Sequence, residues 1–175
     1  MLGPHVRTFP ALKQVESSTM REMPKPNEHH RKLHALAGEW EGAETLAPSP
    51  WGPGGAAVGK MKNRVDLEGL FVVGDYVEEK DGHVAYRGHS VFGWDEKQKT
   101  YVWWWLDSMG SIPAAPARGK WEGDTLTFES KSEMGESQYT FQFTGDGKYK
   151  MRLANRFPGQ SDSATFMEGT YARKR

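Results

Sequence analysis

Apolar and polar residues alternate with a period of two along most of the chain after Gly38. Tyr139, Phe141 and Phe143 alternate with Thr140, Gln142 and Thr144. Tyr149, Met151 and Leu153 alternate with Lys148, Lys150 and Arg152. Successive side chains of a strand point to opposite faces, so the pattern predicts half-buried β-strands. Turn signals punctuate it at Asp81-Gly82, Asp95-Glu96-Lys97, Glu122-Gly123-Asp124, Met134-Gly135-Glu136, Gly145-Asp146-Gly147 and Pro158-Gly159. The runs between them predict ten strands, at about 39–47, 57–67, 70–79, 83–93, 99–107, 115–121, 124–131, 137–144, 147–156 and 163–172.

Ten antiparallel strands on short turns close most simply into an up-and-down barrel, which leaves no unpaired edge. Two Pro/Gly segments, "PSPWGPGG" at 48–55 and "GSIPAAP" at 110–116, interrupt the pattern and are expected to be loops. Upstream the period changes. Asn27 can cap a short helix whose Leu33, Leu36 and Ala37 form an apolar stripe, and Gly38 ends it. Residues 1–26 show no periodicity and are expected to be a tail or arm ahead of a barrel domain over 27–175. The fold expected is all-β: a lipocalin- or calycin-like barrel with a short N-terminal helix.

Alternation also sorts polar residues by face. Trp40, Gly42 and Leu46 share a face, and Glu44 goes with them into the interior. Asn63 shares the face of Met61, Val65 and Leu67, and Asp75 that of Phe71, Val73 and Val77. Strand 83–93 admits two readings, with either Arg87, His89 and Val91 or Tyr86, Ser90 and Phe92 inside. In 163–172 Phe166, Glu168 and Thr170 share a face that can be the inner one. In "TYVWWWLDSMG" both faces are apolar. Trp103, Trp105 and Asp107 are expected inside, leaving Trp104 to pack against the arm, a loop or a second subunit. That last option would make a homodimer.

Charge narrows the partners. Lysine plus arginine and aspartate plus glutamate each number 23, so the net charge is zero. No basic surface of the kind that binds nucleic acid or an anionic membrane is expected. Cysteine is absent, which removes disulfides, thiolate metal sites and a cysteine nucleophile. No apolar signal segment or membrane-spanning run occurs, so a soluble, cytoplasmic protein is expected. "WGPGGAAVGK" lacks the phosphate-loop spacing, and no Gly-x-Ser-x-Gly elbow is present. His30 and His34 fall one helical turn apart, a spacing that suits a metal but equally a solvated helix face.

The segments "LHALAGEWEG", "PSPWGPGG", "RGHSVFGWD", "WWLDSMG" and "FMEGTY", in that order, resemble a bacterial family described only as a domain of unknown function. The resemblance covers about residues 24–173. Gly38-Glu39-Trp40 also resembles the Gly-x-Trp of lipocalins and fatty-acid-binding proteins, which implies a first strand whose Trp plugs one end of the barrel. Nitrobindin-like haem barrels open similarly but carry their haem-ligating histidine near the C-terminus. Residues 150–175 contain no histidine here, so His89 alone could take that place.

Several polar side chains inside one small barrel imply a wet, ligand-sized cavity. The leading expectation is a barrel that binds a small hydrophobic or amphipathic molecule. Trp103 and Trp105 would supply flat walls, and Glu44, Asn63, Asp75, His89 and Asp107 would orient the polar end. Trp51 would stand at the mouth. The alternatives are an isomerase, cyclase or hydrolase that uses Asp107 or His89 as a base, and a haem or metal binder through His89. No particular cofactor follows from the residues.

Overall fold

The computed structural model describes residues 22–133 and 135–175. The expected arm over 1–26 therefore lies largely outside the described residues. Ten strands form a closed antiparallel barrel in which each strand pairs with its neighbours in sequence and the last pairs with the first. They are β1 (Gly38–Leu46), β2 (Gly55–Asp66), β3 (Phe71–Lys80), β4 (His83–Asp95), β5 (Thr100–Asp107), β6 (Ala117–Glu122), β7 (Thr125–Ser132), β8 (Gly135–Phe143), β9 (Lys148–Arg156) and β10 (Ala164–Arg173). Each falls within a few residues of its expected span. Closure through β1 and β10, with Gly42 opposite Tyr171, satisfies both edges.

A short helix, α1 (Glu28–Leu33), and a 3-10 turn over His34–Leu36 close one end. Asn27 caps the helix by accepting from the His29 and His30 amides. Leu33 and Leu36 are buried against the barrel. The Trp40 indole N–H donates to the Leu36 carbonyl at 2.9 Å, and Arg173 lies over the Trp40 ring at 4.2 Å. Trp40 thus plugs this end, as the Gly-x-Trp resemblance implied. His34 bonds the Gly69 carbonyl and His30 bonds Asn27, so both histidines hold the plug in place.

Above the plug lies a layer of rings. Phe92 stacks on Trp103 at 5.3 Å, and Phe128, Phe141 and Tyr139 pack edge-on or tilted around Trp103. Tyr149 and Tyr171 stack at 4.9 Å. Trp103 is 3% exposed and Trp104 37%. The expected split of the tryptophan run is therefore the observed one.

The structure overturns the expected face of β3 and decides those of β4 and β10, which alternation left open. On β3 the buried inner set is Val72, Gly74 and Tyr76, and Asp75 points outward. Both faces of this strand are apolar, so alternation alone had no polar face to reject. On β4 the Tyr86, Ser90 and Phe92 set is inside, and Arg87 and His89 are outside. On β10 a bulge between Thr165 and Met167 shifts the register, putting Met167 and Tyr171 inside and Glu168 and Thr170 outside. Val65 and Leu67 run past the plugged end and are exposed. Among the described residues no helix is long and apolar enough to cross a membrane.

Candidate functional site

The two ends of the barrel are built differently. Towards the plugged end the inward-facing Trp40, Met61, Val72, Phe92, Phe128, Phe141 and Tyr149 are buried, with Trp94, Trp121 and Phe143 partly buried around them. At the other end the inward-facing Leu46, Glu78, Tyr86, Trp105, Asp107 and Tyr139 are only partly buried. An inward side chain that still meets water marks an open interior. Loop 47–54, with Trp51 55% exposed, stands at this mouth.

Two polar clusters line the open half. The upper one is on β4 and β5. The Tyr86 hydroxyl donates to Asp107 Oδ2 at 2.8 Å. The Trp105 indole N–H is shared between Tyr86 Oη at 3.0 Å and Asp107 Oδ2 at 3.2 Å. The Met109 amide donates to Asp107 Oδ1 at 2.9 Å. Burial pushes the Tyr86 phenol well above its ordinary range, so it stays a donor. Gly88 makes the arrangement possible: a Cβ there would lie 2.8 Å from Trp105 Cε2, so only glycine lets the indole lie flat over β4.

The lower cluster surrounds Glu44, which is 3% exposed. Tyr76 donates to its two oxygens at 2.9 and 2.8 Å, and Tyr171 donates to Oε1. Burial raises the Glu44 carboxyl above its usual value, and the two tyrosine hydrogen bonds pull the other way. Gly59 on β2 leaves room for the carboxyl, since a Cβ there would sit 2.7 Å from Glu44 Cδ. Glu78 lies two residues above Tyr76 on the same face, directly opposite Tyr86 on β4. Burial raises its pKa too, and Lys80 opposes the shift.

The expected site residues therefore divide. Glu44, Trp103, Trp105 and Asp107 face the interior. Asn63 is inward and buried, but its amide donates to the Leu36 carbonyl at the plugged end, far from the mouth. Asp75 and His89 pair with each other at 2.8 Å on the outer wall, with 65% and 49% of their side chains exposed. They cannot orient a ligand inside the barrel, and His89 is removed both as an interior base and as an interior haem ligand. Among the described residues no three His, Cys, Asp or Glu side chains gather as a metal site. Tyr76, Glu78 and Tyr86 line the mouth beyond the residues singled out from the sequence, and Tyr139 lies on the inward apolar face that alternation predicts. For Tyr86 the signal was present in the second reading of β4.

β5 and β6 pair only from Tyr101 to Trp103, so the upper part of β5 has no β6 partner. A cleft of about 670 Å³ borders β6–β9, lined by Pro116, Arg118, Ser130, Ser137, Ala154 and Arg156 among others. It is offset from Asp107, but it shares Ser130 and Ser137 with the mouth, where both hydrogen-bond with Tyr139. Among the described residues three buried side-chain polar atoms have no hydrogen-bond partner: Trp103 Nε1, Asn155 Oδ1 and, at the plugged end, Asn63 Oδ1.

A closed ten-strand meander with one end plugged and the other open defines a calycin-like barrel protein. The chain belongs to the DUF1579 family, described as a protein of unknown function, whose profile spans residues 25–173. Two solved structures share the fold. Rv2717c from M. tuberculosis matches with a TM-score of 0.64 and 12% identity, over 85% of this chain and 99% of that one. The S-type phycobiliprotein lyase CPES from Guillardia theta matches with a TM-score of 0.61 and 9% identity, over 84% and 93%. No curated protein matches the chain significantly.

Proposed function

We propose that the open half of the barrel binds a small, partly apolar molecule. The observation that carries this reading is the cluster of inward-facing Tyr86, Trp105, Asp107 and Tyr139, which stay only partly buried at the end that α1 does not cover. The walls combine flat aromatic area from Tyr76, Tyr86, Trp105 and Tyr139 with the polar anchor of Asp107. That mixture suits a ligand with an apolar body and a polar end. The unpaired Trp103 Nε1 and Asn155 Oδ1 add support, because buried polar atoms are ordinarily satisfied by protein, water or ligand. The fold likenesses support the architecture and carry no chemistry at this identity.

The test uses N-phenyl-1-naphthylamine, a neutral dye whose emission rises in apolar surroundings. Saturable enhancement is expected with the wild-type protein and is lost in Leu46→Trp, which fills the mouth. Equal enhancement in both proteins, or none in either, would rule the reading out. Native mass spectrometry of freshly purified protein would report a retained natural ligand directly.

A further inference from the structure

The interior-facing charges of the open half are mainly acidic, with Lys80 at the rim on the Glu78 face of β3. Glu44, Glu78 and Asp107 all point inward. Among the described residues none of them lies within ion-pair distance of a lysine, arginine or histidine, although thirteen such pairs form elsewhere. Lys80 is the cation that acts on Glu78, and its ammonium is tied to the Gly54 carbonyl at the rim. The basic residues beside the mouth on β7 and β9 are already engaged: Arg156 and Lys131 pair with Glu136. Carboxylates withdrawn from water without a counter-charge are costly. A ligand that supplies the counter-charge removes that cost.

The rings around these carboxylates have matching chemistry. Tyr76, Tyr86 and Trp105 form a three-ring cluster with centroids 5.8 to 6.3 Å apart. Their faces carry negative potential and attract a cation within about 6 Å. Tyr86 lies between Glu78, its cross-strand partner on β3, and Asp107 on β5. Two strand spacings separate those carboxylates, roughly 10 Å, a gap that an amine head and its first carbons can bridge. The unpaired Asn155 Oδ1 on the far wall is a further acceptor.

On these grounds, and resting on the ligand-binding reading above, we infer that the ligand is an organic cation: a protonated or quaternary amine on a flat apolar body, with its head between Glu78 and Asp107 against the Tyr86 and Trp105 rings. A neutral lipid-like ligand would leave the carboxylates unmatched, and a carboxylate ligand would be repelled by them.

The experiment displaces N-phenyl-1-naphthylamine with three probes that share one body: 4-phenylbutylamine, 4-phenylbutanol and 4-phenylbutanoate. The amine is expected to compete about tenfold better than the alcohol, and the carboxylate worse than either. Added salt should weaken the amine selectively. Glu78→Gln and Asp107→Asn should each shrink the amine-to-alcohol ratio. Asp75→Asn, on the outer wall, should leave it as it was. If Asp107→Asn fails to fold because three donors lose their carboxylate, Glu78→Gln and the salt series still decide. Dye binding with amine and alcohol competing equally, or an amine preference that survives in Glu78→Gln and is insensitive to salt, overturns the inference while the binding reading stands. Absence of dye binding overturns the binding reading itself.

Discussion

Glu44→Gln gives a direct test of how the barrel holds a buried carboxyl. In the folded protein burial raises the Glu44 pKa from the ordinary 4.5, while in the unfolded chain it returns to that value. Below 4.5 the carboxyl is protonated in both states and contributes no pH dependence. As pH rises above 4.5 the unfolded chain gives up this proton first, so the folded state binds more protons and stability falls. The slope is at most about 1.4 kcal/mol per pH unit, and it ends once the pH exceeds the raised folded value. Glutamine keeps a carbonyl for the Tyr76 and Tyr171 hydroxyls and cannot titrate. Exposed acids held low by their partners, such as Glu39 beside Lys62 and Glu136 beside Arg156, act in the opposite direction below 4.5, but they are common to both proteins and cancel. Urea unfolding followed by tryptophan emission from about pH 4 to about pH 8 measures the difference. Wild type should lose stability relative to Glu44→Gln as pH rises, and Tyr171→Phe, which removes one donor, should extend the loss to higher pH. Parallel stability curves for wild type and Glu44→Gln, or a difference that grows with the opposite sign, would refute the account.

Two further outcomes follow from the packing. Trp103→Ala should cost about 3–5 kcal/mol of unfolding free energy, because it empties the centre of the ring layer, whereas Trp104→Ala on the outer wall should cost less than about 1 kcal/mol. Denaturant titration of both variants tests the face assignment of β5. Gly88→Ala should cost about 1–3 kcal/mol and shift the Trp105 emission, since the added methyl pushes the indole off β4. An unchanged spectrum and midpoint would show that Trp105 does not need that space.

Strand number, strand spans and the capped helix were legible because they rest on local signals: period-two alternation, turn glycines and Asn27 ahead of the first helical residues. The inward course of Glu44 was legible too, because Glu39 and Glu41 on the same strand fix the outer face. The β3 and β4 faces were less so. Val72 and Val73, or Tyr76 and Val77, offer an apolar residue to either side, and the choice depends on which strand partners them. Once Asp75 pairs with His89 across β3 and β4, both must share a face, and the inner set becomes Tyr76, Tyr86, Ser90 and Phe92.

The sequence by itself determined a ten-strand antiparallel meander and an aromatic fifth strand on which Asp107 shares the face of Trp103 and Trp105, since each follows from neighbours a few residues apart; the Trp plug of the first strand rested on the Gly-x-Trp resemblance, and the structure decided that the Asp107 face of the fifth strand looks inward. Only the tertiary structure decided which end is open, that Asn63 serves the plug rather than a ligand, and that Glu78, Tyr86, Trp105 and Asp107 meet at the mouth. Those facts depend on register across strands, on a one-residue bulge in β10 that exchanges its faces, and on glycines that let rings lie against the wall. No local pattern encodes them, because shifting a strand by one residue preserves its alternation and reverses every side chain.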